Sequence, residues 1–196
     1  MHFILRYGRS NIEKLGAFVI DGVSEIGKIF SFSMQFFYWL TKPPYRVHLF
    51  FEQIYFIGNK SIFIICLSGA FTGMVMAYQT YFGFQLISVD TLVGPVTAKS
   101  LAMELGPVLS GLIVAGRAGA AMAAQIGTMK VTEQIDALEV MGINSVQYLA
   151  VPRIIGGTLS LPLLNALFLF VGNIGSWFVG TKFFGIDEAS YFSKLG

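Results

Sequence analysis

The sequence predicts an all-α integral membrane protein, and its composition and charge pattern support this fold class. Hydrophobic residues make up 55% of the chain and charged residues only 12%, against roughly 25% charged in soluble proteins. Two long runs, Ser61–Val89 and Ile154–Thr181, contain no Asp, Glu, Lys or Arg. A third run, over residues 95–125, is rich in small apolar residues. Because a helix needs about 20 residues to cross ~30 Å of hydrocarbon, each run can hold one span, and residues 1–196 form a single domain.

The first predicted element is an amphipathic helix over residues 12–40. Apolar residues recur there at helical spacing, and charged residues such as Asp21 and Glu25 fall between them. Such a helix lies in the membrane interface, and the aromatic run 36–39 suits the level of the lipid headgroups. Pro43 and Pro44 are expected to end it.

Residues 22–28 of this helix resemble the start of a phosphate-binding loop. Ile29 stands where that loop requires Ser or Thr to hold magnesium, and no strand precedes the segment. We therefore interpret it as an ordinary helix face and expect any ATP site to belong to another chain.

The three spans are predicted at residues 62–82, 95–125 and 154–181. Small residues recur every four positions in the first span, at Gly69, Gly73 and Ala77, and again in the third span around Gly172 and Ser176. Such stripes let another helix approach closely. A short outer turn is expected over 90–95.

The second span carries two prolines and two charges whose roles differ. Pro95 and Pro107 are expected to break or kink it, since a straight helix over this length would exceed the membrane. Glu104 and Arg117 are 13 positions apart, about 20 Å along a helix, so they do not pair with each other on it. A lone charge in lipid is costly, so each has either a structural tie to another helix or a contact with a polar headgroup.

A short polar helix is predicted over residues 131–142, directly after the second span. Thr132 is its expected N-cap and Gly142 its stop. Two sets of side chains give it two faces, and both belong to the predicted partner contact. The apolar set is Val131, Ile135 and Leu138, and the acidic set is Glu133, Asp136 and Glu139. This arrangement is typical of a helix that docks in the groove of a soluble partner, the alternative being a solvated loop helix.

Lys and Arg are unevenly distributed between the two sides of the predicted membrane. Most of them fall in the amino-terminal region or in the 127–153 loop, and few fall on the other side. By the positive-inside rule the amino terminus and this loop are cytoplasmic.

Several function classes are disfavoured by what the chain lacks in sequence. A single cysteine, Cys66, and two histidines, His2 and His48, give no basis for a disulfide or a metal site. The spans contain no histidine and no paired aspartates, and their serines have no evident base, so an intramembrane enzyme is disfavoured. A net charge of +2 gives no indication of nucleic-acid binding.

The densest motif of the chain lies between Glu104 and Arg153. It comprises Glu-Leu-Gly-Pro-Val, Ala-Gly-Arg-Ala-Gly, Gly-Thr-Met-Lys-Val-Thr-Glu-Gln-Ile-Asp-Ala-Leu-Glu-Val-Met-Gly and Val-Pro-Arg. With these residues the chain resembles the MlaE permease family over about residues 12–196. Met103 departs from the family, where many members carry Arg, and members usually continue for about two more spans.

The resemblance implies a function with named partners. It implies a homodimeric permease subunit of an ABC transporter in the bacterial inner membrane, with a cytoplasmic ATPase that binds ATP and magnesium, and with a periplasmic MCE-domain protein. The implied cargo is phospholipid or a related lipid, and 131–142 is the implied coupling helix.

The lipid path is expected along the first span, near the dimer axis, because small residues there permit close helix approach. The side chains predicted to line this path are Met74, Val75, Tyr78, Tyr81, Glu104 and Arg117. The alternative for the first four is ordinary helix packing. A structural assembly subunit remains the main alternative function.

Overall fold

The computed structural model describes residues 2–42, 46–85, 92–188 and 191, with side chains described from residue 16 onward. Every regular element in this part of the chain is helical. The five helices, in chain order, are α1 His2–Leu40, α2 Val47–Gln85, α3 Val93–Val131, α4 Gln134–Val140 and α5 Val146–Phe183. Three of them, α2, α3 and α5, are long and apolar enough to cross a membrane. The predicted all-α fold with three spans is confirmed.

Helix α1 contains the predicted 12–40 segment and begins earlier, at His2. Many of its apolar side chains, including Phe18 and Ile26, are exposed. Lys28 pairs with Glu25 at 2.9 Å on the same helix, so the segment that resembles a phosphate loop is an ordinary helical turn. The helix ends at Leu40, and Pro43 and Pro44 lie outside the described residues. Its position in the membrane interface stays a prediction.

Helix α3 is continuous, but two of its turns are wider than an α-helical turn. These π-helical turns cover Leu101–Leu105 and Ala115–Gly119. The N–H of Gly106 donates to the carbonyl of Leu101, five residues back, and Pro107, which has no N–H to donate, follows directly. The break predicted at Pro95 is wrong, because Pro95 lies in the first turn of α3, where a missing N–H has no helical partner to lose.

The predicted 90–95 turn extends too far along the chain. The helix has already begun at Val93, and residues 86–91 lie outside the described part of the chain. Pro162 lies inside α5, which continues through it.

Helices α2 and α5 pack against each other through buried residues that recur every four positions. On α2 these are Ile57, Ser61, Ile65, Gly69, Gly73 and Ala77. On α5 the same spacing joins Gly156, Ser160, Leu164, Phe168, Gly172 and Ser176. A four-residue repeat is longer than the 3.6-residue helical turn, and this favours a right-handed crossing.

Glycines set how close these two helices lie. A Cβ at Gly69 would lie 2.8 Å from the carbonyl oxygen of Phe168, and one at Gly175 would lie 2.6 Å from that of Ala70. The two small-residue stripes predicted from the sequence therefore meet each other within one chain.

The hydrophobic core joins all three spans. Its buried members are Ile57, Ile65, Leu101, Val114, Ala118, Leu164 and Phe168. At the far end, Tyr191 packs against Gly94 of α3 and Gly180 of α5. Its hydroxyl lies 2.7 Å from the Ser176 hydroxyl. Burial raises the pKa of the Tyr191 phenol. The hydroxyl contacts α5, and the ring, packed on Gly94 and Gly180, joins the ends of α3 and α5.

Candidate functional site

The segment between α3 and α5 forms a short helix with a sharp joint at each end. Thr132 closes α3, since its N–H and its hydroxyl both donate to the carbonyl of Thr128, at 2.9 and 2.8 Å. Glu133 then adopts a left-handed conformation, with φ 57°. Helix α4 covers Gln134–Val140, so the predicted 131–142 helix is too long and the predicted N-cap role of Thr132 is wrong.

The predicted stop at Gly142 is confirmed. Gly142 has φ 73°. Its N–H donates to the carbonyl of Glu139 at 2.9 Å, and the N–H of Ile143 donates to that of Leu138 at 3.0 Å. This pair of hydrogen bonds is the Schellman arrangement, which favours glycine at the left-handed position.

The three acidic side chains of this segment are exposed but differ in their partners. Asp136 accepts from Lys130 at 2.9 Å, and Glu139 accepts from the hydroxyl of Ser145 at 3.1 Å. Within the described residues, Glu133 has no side-chain partner. These contacts brace α4 against the end of α3 and the start of α5.

The apolar side chains of the segment do not form the single face that the sequence predicted. Ile135 and Leu138 are half-buried within the chain. Val131 belongs to α3 and is 85% exposed, and Val140 is 89% exposed. Met141 is also exposed. The sequence analysis did not identify Val140 and Met141, because they lie outside the helical repeat that joins Ile135 and Leu138. The one feature of the sequence that could have indicated them is that they are apolar residues in a polar loop.

Each of the two predicted membrane charges lies in a π-helical turn, Glu104 in the first and Arg117 in the second. Such turns are frequent at functional sites. Arg117 donates from Nη1 to the hydroxyl of Ser61 at 2.8 Å, and Ser61 is fully buried on α2. Arg117 therefore has the structural tie that was one of its two predicted roles. Glu104 is exposed and has no polar partner among the described residues.

Four of the six residues predicted for the lipid path, Met74, Val75, Tyr78 and Tyr81, lie along the second half of α2. Met74 is half-buried, and Val75 and Tyr78 are exposed. Tyr81 stacks on Phe184 with ring centroids 3.9 Å apart, and Tyr78 lies 5.9 Å from the same ring. Sequence reasoning missed Phe184, which follows the third span and carries no pattern of its own.

The lipid path was predicted near a dimer axis because small residues of α2 would let a second copy of the chain approach, and this reason does not hold. The small residues of α2 that were to admit a second copy are occupied by α5 of the same chain, because Gly73 packs directly on the backbone of Gly172. The lipid-path role of the neighbouring side chains stays a prediction.

A second polar feature lies where α2 meets the start of α5. Arg153 is 7% exposed and donates from Nη1 to the carbonyl of Leu149 at 3.1 Å. It shares a cavity of about 150 Å³ with Glu52, Gln53 and Gln125. Its Nε and the Gln53 Oε1 are buried without a hydrogen-bond partner in the described structure. No cluster of His, Cys, Asp and Glu suited to a metal ion occurs among the described residues.

Three apolar spans, with a braced polar helix between the second and third, define a multi-pass helical membrane protein. The family model described as Permease MlaE matches residues 50–196, and the chain belongs to this family. The predicted family membership is confirmed.

Several curated relatives align over most of the chain. It is 40% identical to the intermembrane phospholipid transport system permease protein MlaE of Haemophilus influenzae, over 94% of this chain and 70% of that protein. It is 37% identical to a probable ABC transporter permease protein of Rickettsia bellii, over 92% of this chain and 70% of that one. A chloroplastic Arabidopsis thaliana protein, TRIGALACTOSYLDIACYLGLYCEROL 1, is 36% identical over 69% of this chain and 39% of its own length.

Proposed function

We propose that this chain is the membrane-spanning permease subunit of an ABC transporter that moves phospholipid or a related lipid. It works as a homodimer in the bacterial inner membrane, with its amino terminus in the cytoplasm. A separate cytoplasmic ATPase binds ATP and magnesium, and a periplasmic MCE-domain protein exchanges lipid with the permease. Family membership supports the permease class, and the name of the Haemophilus influenzae relative supports phospholipid as cargo.

The observation that carries this proposal is the exposed apolar surface around α4. Val131, Val140 and Met141 are all largely exposed at the end of a span, in a segment that otherwise carries charge. Removing apolar surface from water stabilises a complex, and a helix laid in a groove is a common way to do so. The ATPase is the occupant of this surface, and Glu133 is the acid available to a basic residue of that partner.

The joints of α4 make it suited to transmit movement. The Schellman turn at Gly142 and the bond from Ser145 to Glu139 fix the far end of α4 to the segment that leads into α5. The Lys130–Asp136 ion pair fixes its near end to α3. A displacement of α4 by the ATPase therefore moves the ends of α3 and α5 together, and Arg117 passes the movement of α3 to Ser61 on α2.

The lipid path in this proposal follows the exposed side of α2 towards its aromatic end. Val75 and Tyr78 offer apolar surface for acyl chains, and Tyr81 with Phe184 forms a rigid aromatic end wall. Glu104, exposed and without a described partner, is the candidate contact for a polar headgroup. Arg117 acts by holding helices together, as its bond to Ser61 indicates.

The proposal is tested by co-purification of the ATPase with variants of α4. Val140→Asp places a charge where a docked helix would be desolvated, so we expect loss of the ATPase and of lipid-dependent ATP turnover. Val140→Ile keeps the apolar surface and is the matched control. Membrane insertion and the elution volume of the purified chain confirm folding in both.

Two results would contradict the assignment. Normal ATPase recovery and turnover with Val140→Asp would remove α4 as the coupling surface. An ATPase that binds the wild-type chain but hydrolyses ATP independently of it, with no lipid transfer between vesicles, would instead support the structural assembly role.

A further inference from the structure

A cavity of about 220 Å³ lies where the end of α1, the start of α2 and the residues after α4 meet. Its inner wall is apolar and includes Phe50 and Val151, and its rim carries Lys42 and Arg46. The cavity is separate from the aromatic end of α2, and no step of the proposed transport cycle uses it.

The two cations on the rim are held by aromatic rings. The Lys42 ammonium lies 4.2 Å from the ring centroid of Tyr38 and donates to the hydroxyl of that residue. The Arg46 guanidinium lies 4.9 Å from the ring centroid of Tyr148. Both cations are therefore positioned by contacts that leave their positive charge uncompensated.

No carboxylate neutralises this charge in the described part of the chain. Neither Lys42 nor Arg46 belongs to an ion pair there, although Lys28, Lys130 and Lys182 all do. Among the residues that the structure describes, no Asp or Glu lines the cavity. The rim consequently attracts an anion.

A hydrogen bond between distant parts of the chain also holds the rim of the cavity in place. Gln147 donates from Nε2 to the backbone carbonyl of Lys42 at 3.2 Å, which joins the residues just after α1 to the first turn of α5. This bond spans two parts of the chain that are far apart in sequence, so the rim is built by the tertiary fold.

The surroundings of the cavity favour a lipid as the source of that anion. Trp39 lines the cavity beside Tyr38, and Trp and Tyr side chains concentrate at the headgroup level of membranes. An apolar wall below a cationic rim matches a molecule with acyl chains below an anionic head. Basic pockets at the ends of membrane helices are known to suit anionic headgroups.

We propose that this cavity binds the phosphate of an anionic phospholipid from the adjoining leaflet, with the acyl chains against the apolar wall. A net negative lipid is preferred over a zwitterionic one, because two uncompensated cations face a single headgroup. The bound lipid fastens the end of α1 to α2 and to the start of α5. It remains at this site and is distinct from the cargo.

The test uses the purified full chain in detergent, titrated with phosphatidylglycerol or phosphatidylcholine and followed by native mass spectrometry. The test variant is Lys42→Gln with Arg46→Gln, and the control is Lys28→Gln with Lys60→Gln, which removes the same charge outside the cavity. A basic residue near the membrane surface contributes about 1 kcal/mol to anionic-lipid binding, so the cavity variant should bind phosphatidylglycerol roughly 25-fold more weakly. The control should bind it nearly normally.

Three outcomes would overturn the proposal. An equal loss in both double variants would show diffuse surface attraction and overturn the site. Displacement of bound phosphatidylglycerol by excess inorganic phosphate would make a soluble anion the occupant and overturn the lipid assignment. Normal lipid binding by the cavity variant, with loss of the co-purifying ATPase, would show that these charges serve the partner. Lost lipid binding with normal ATPase recovery supports the site, and it does so whether or not the chain transports lipid.

Discussion

The packing of α2 on α5 predicts that Gly73→Ala is strongly destabilising. A Cβ at Gly73 would lie 2.6 Å from the backbone carbonyl carbon of Gly172 and closer still to its oxygen. Ordinary contact begins near 3.4 Å, and neither backbone can rotate away as a side chain does. The two helices must therefore separate by at least about 0.8 Å at this level.

The size of the effect follows from the weaker packing that this separation causes along both helices. A gap of 0.5–1 Å forfeits about a quarter to a half of each dispersion interaction, and overpacking a tight site costs typically ~1–3 kcal/mol. Because the added Cβ meets backbone atoms, which cannot move aside as a side chain does, we expect about 3 kcal/mol for Gly73→Ala. A smaller destabilisation is expected for Gly69→Ala, with its nearest backbone atom at 2.8 Å, and a smaller one again for Gly172→Ala, at 3.2 Å.

The assay is thermal unfolding in detergent, followed by fluorescence-detected size exclusion. At roughly 2–4 °C per kcal/mol, the Gly73→Ala variant should lose about 6–12 °C in Tm. Gly83→Ala on the same helix is the control, since a Cβ there meets nothing within 4 Å. Equal Tm values for Gly73→Ala and Gly83→Ala, or a reversed order along the series, would refute the packing argument.

Three other predictions concern the Arg117 hydrogen bond, the conformation of Glu133 and the membrane topology. Ser61→Ala removes the described hydrogen-bond partner of Arg117, so a double-mutant cycle with Arg117→Ala should show a coupling of about 1–3 kcal/mol, whereas additive decreases in Tm would contradict the tie. Glu133→Gly relieves a left-handed conformation that costs L-residues about 1–2 kcal/mol; hydrogen exchange of the α4 amides should slow in this variant and quicken in Glu133→Val, and identical exchange in both would count against the strain. Single cysteines at Ser145 and Gln85, in a cysteine-free background, should react with impermeant reagents from opposite membrane faces, and labelling from one face would refute the topology.

The spans and the tight stripes were predictable because they depend on hydrophobicity and residue size alone. The charge-free runs located α2 and α5, and the spacing of Gly69 and Gly73 predicted a close helix contact. The partner in that contact was not predictable, because a small-residue stripe fits any helix of complementary shape. The structure selects α5 of the same chain, where Gly172 has the matching shape.

Neither the start of α4 nor the wide turns of α3 could be predicted from the sequence, and the reasons differ. Thr132 has the residue type of an N-cap, yet its hydroxyl bonds back to Thr128 and so ends the preceding helix. Glu133 is an uncommon residue for a left-handed position. Helix propensity does not distinguish the π-helical turns of α3 from α-helical ones.

Those two wide turns give α3 an unusual tolerance to changes in its length. In a regular α-helix, deleting one residue rotates everything beyond it by roughly 100°, which would turn the buried side of α3 away from its neighbours. A π-helical turn holds about one residue more than an α-helical turn, so a deletion within Leu101–Leu105 or Ala115–Gly119 can be absorbed by conversion to an ordinary turn. Single-residue deletions compatible with folding should therefore cluster at these two places. The same two turns carry Glu104 and Arg117, so the positions where the helix accommodates a change in length are also the positions that hold its membrane charges.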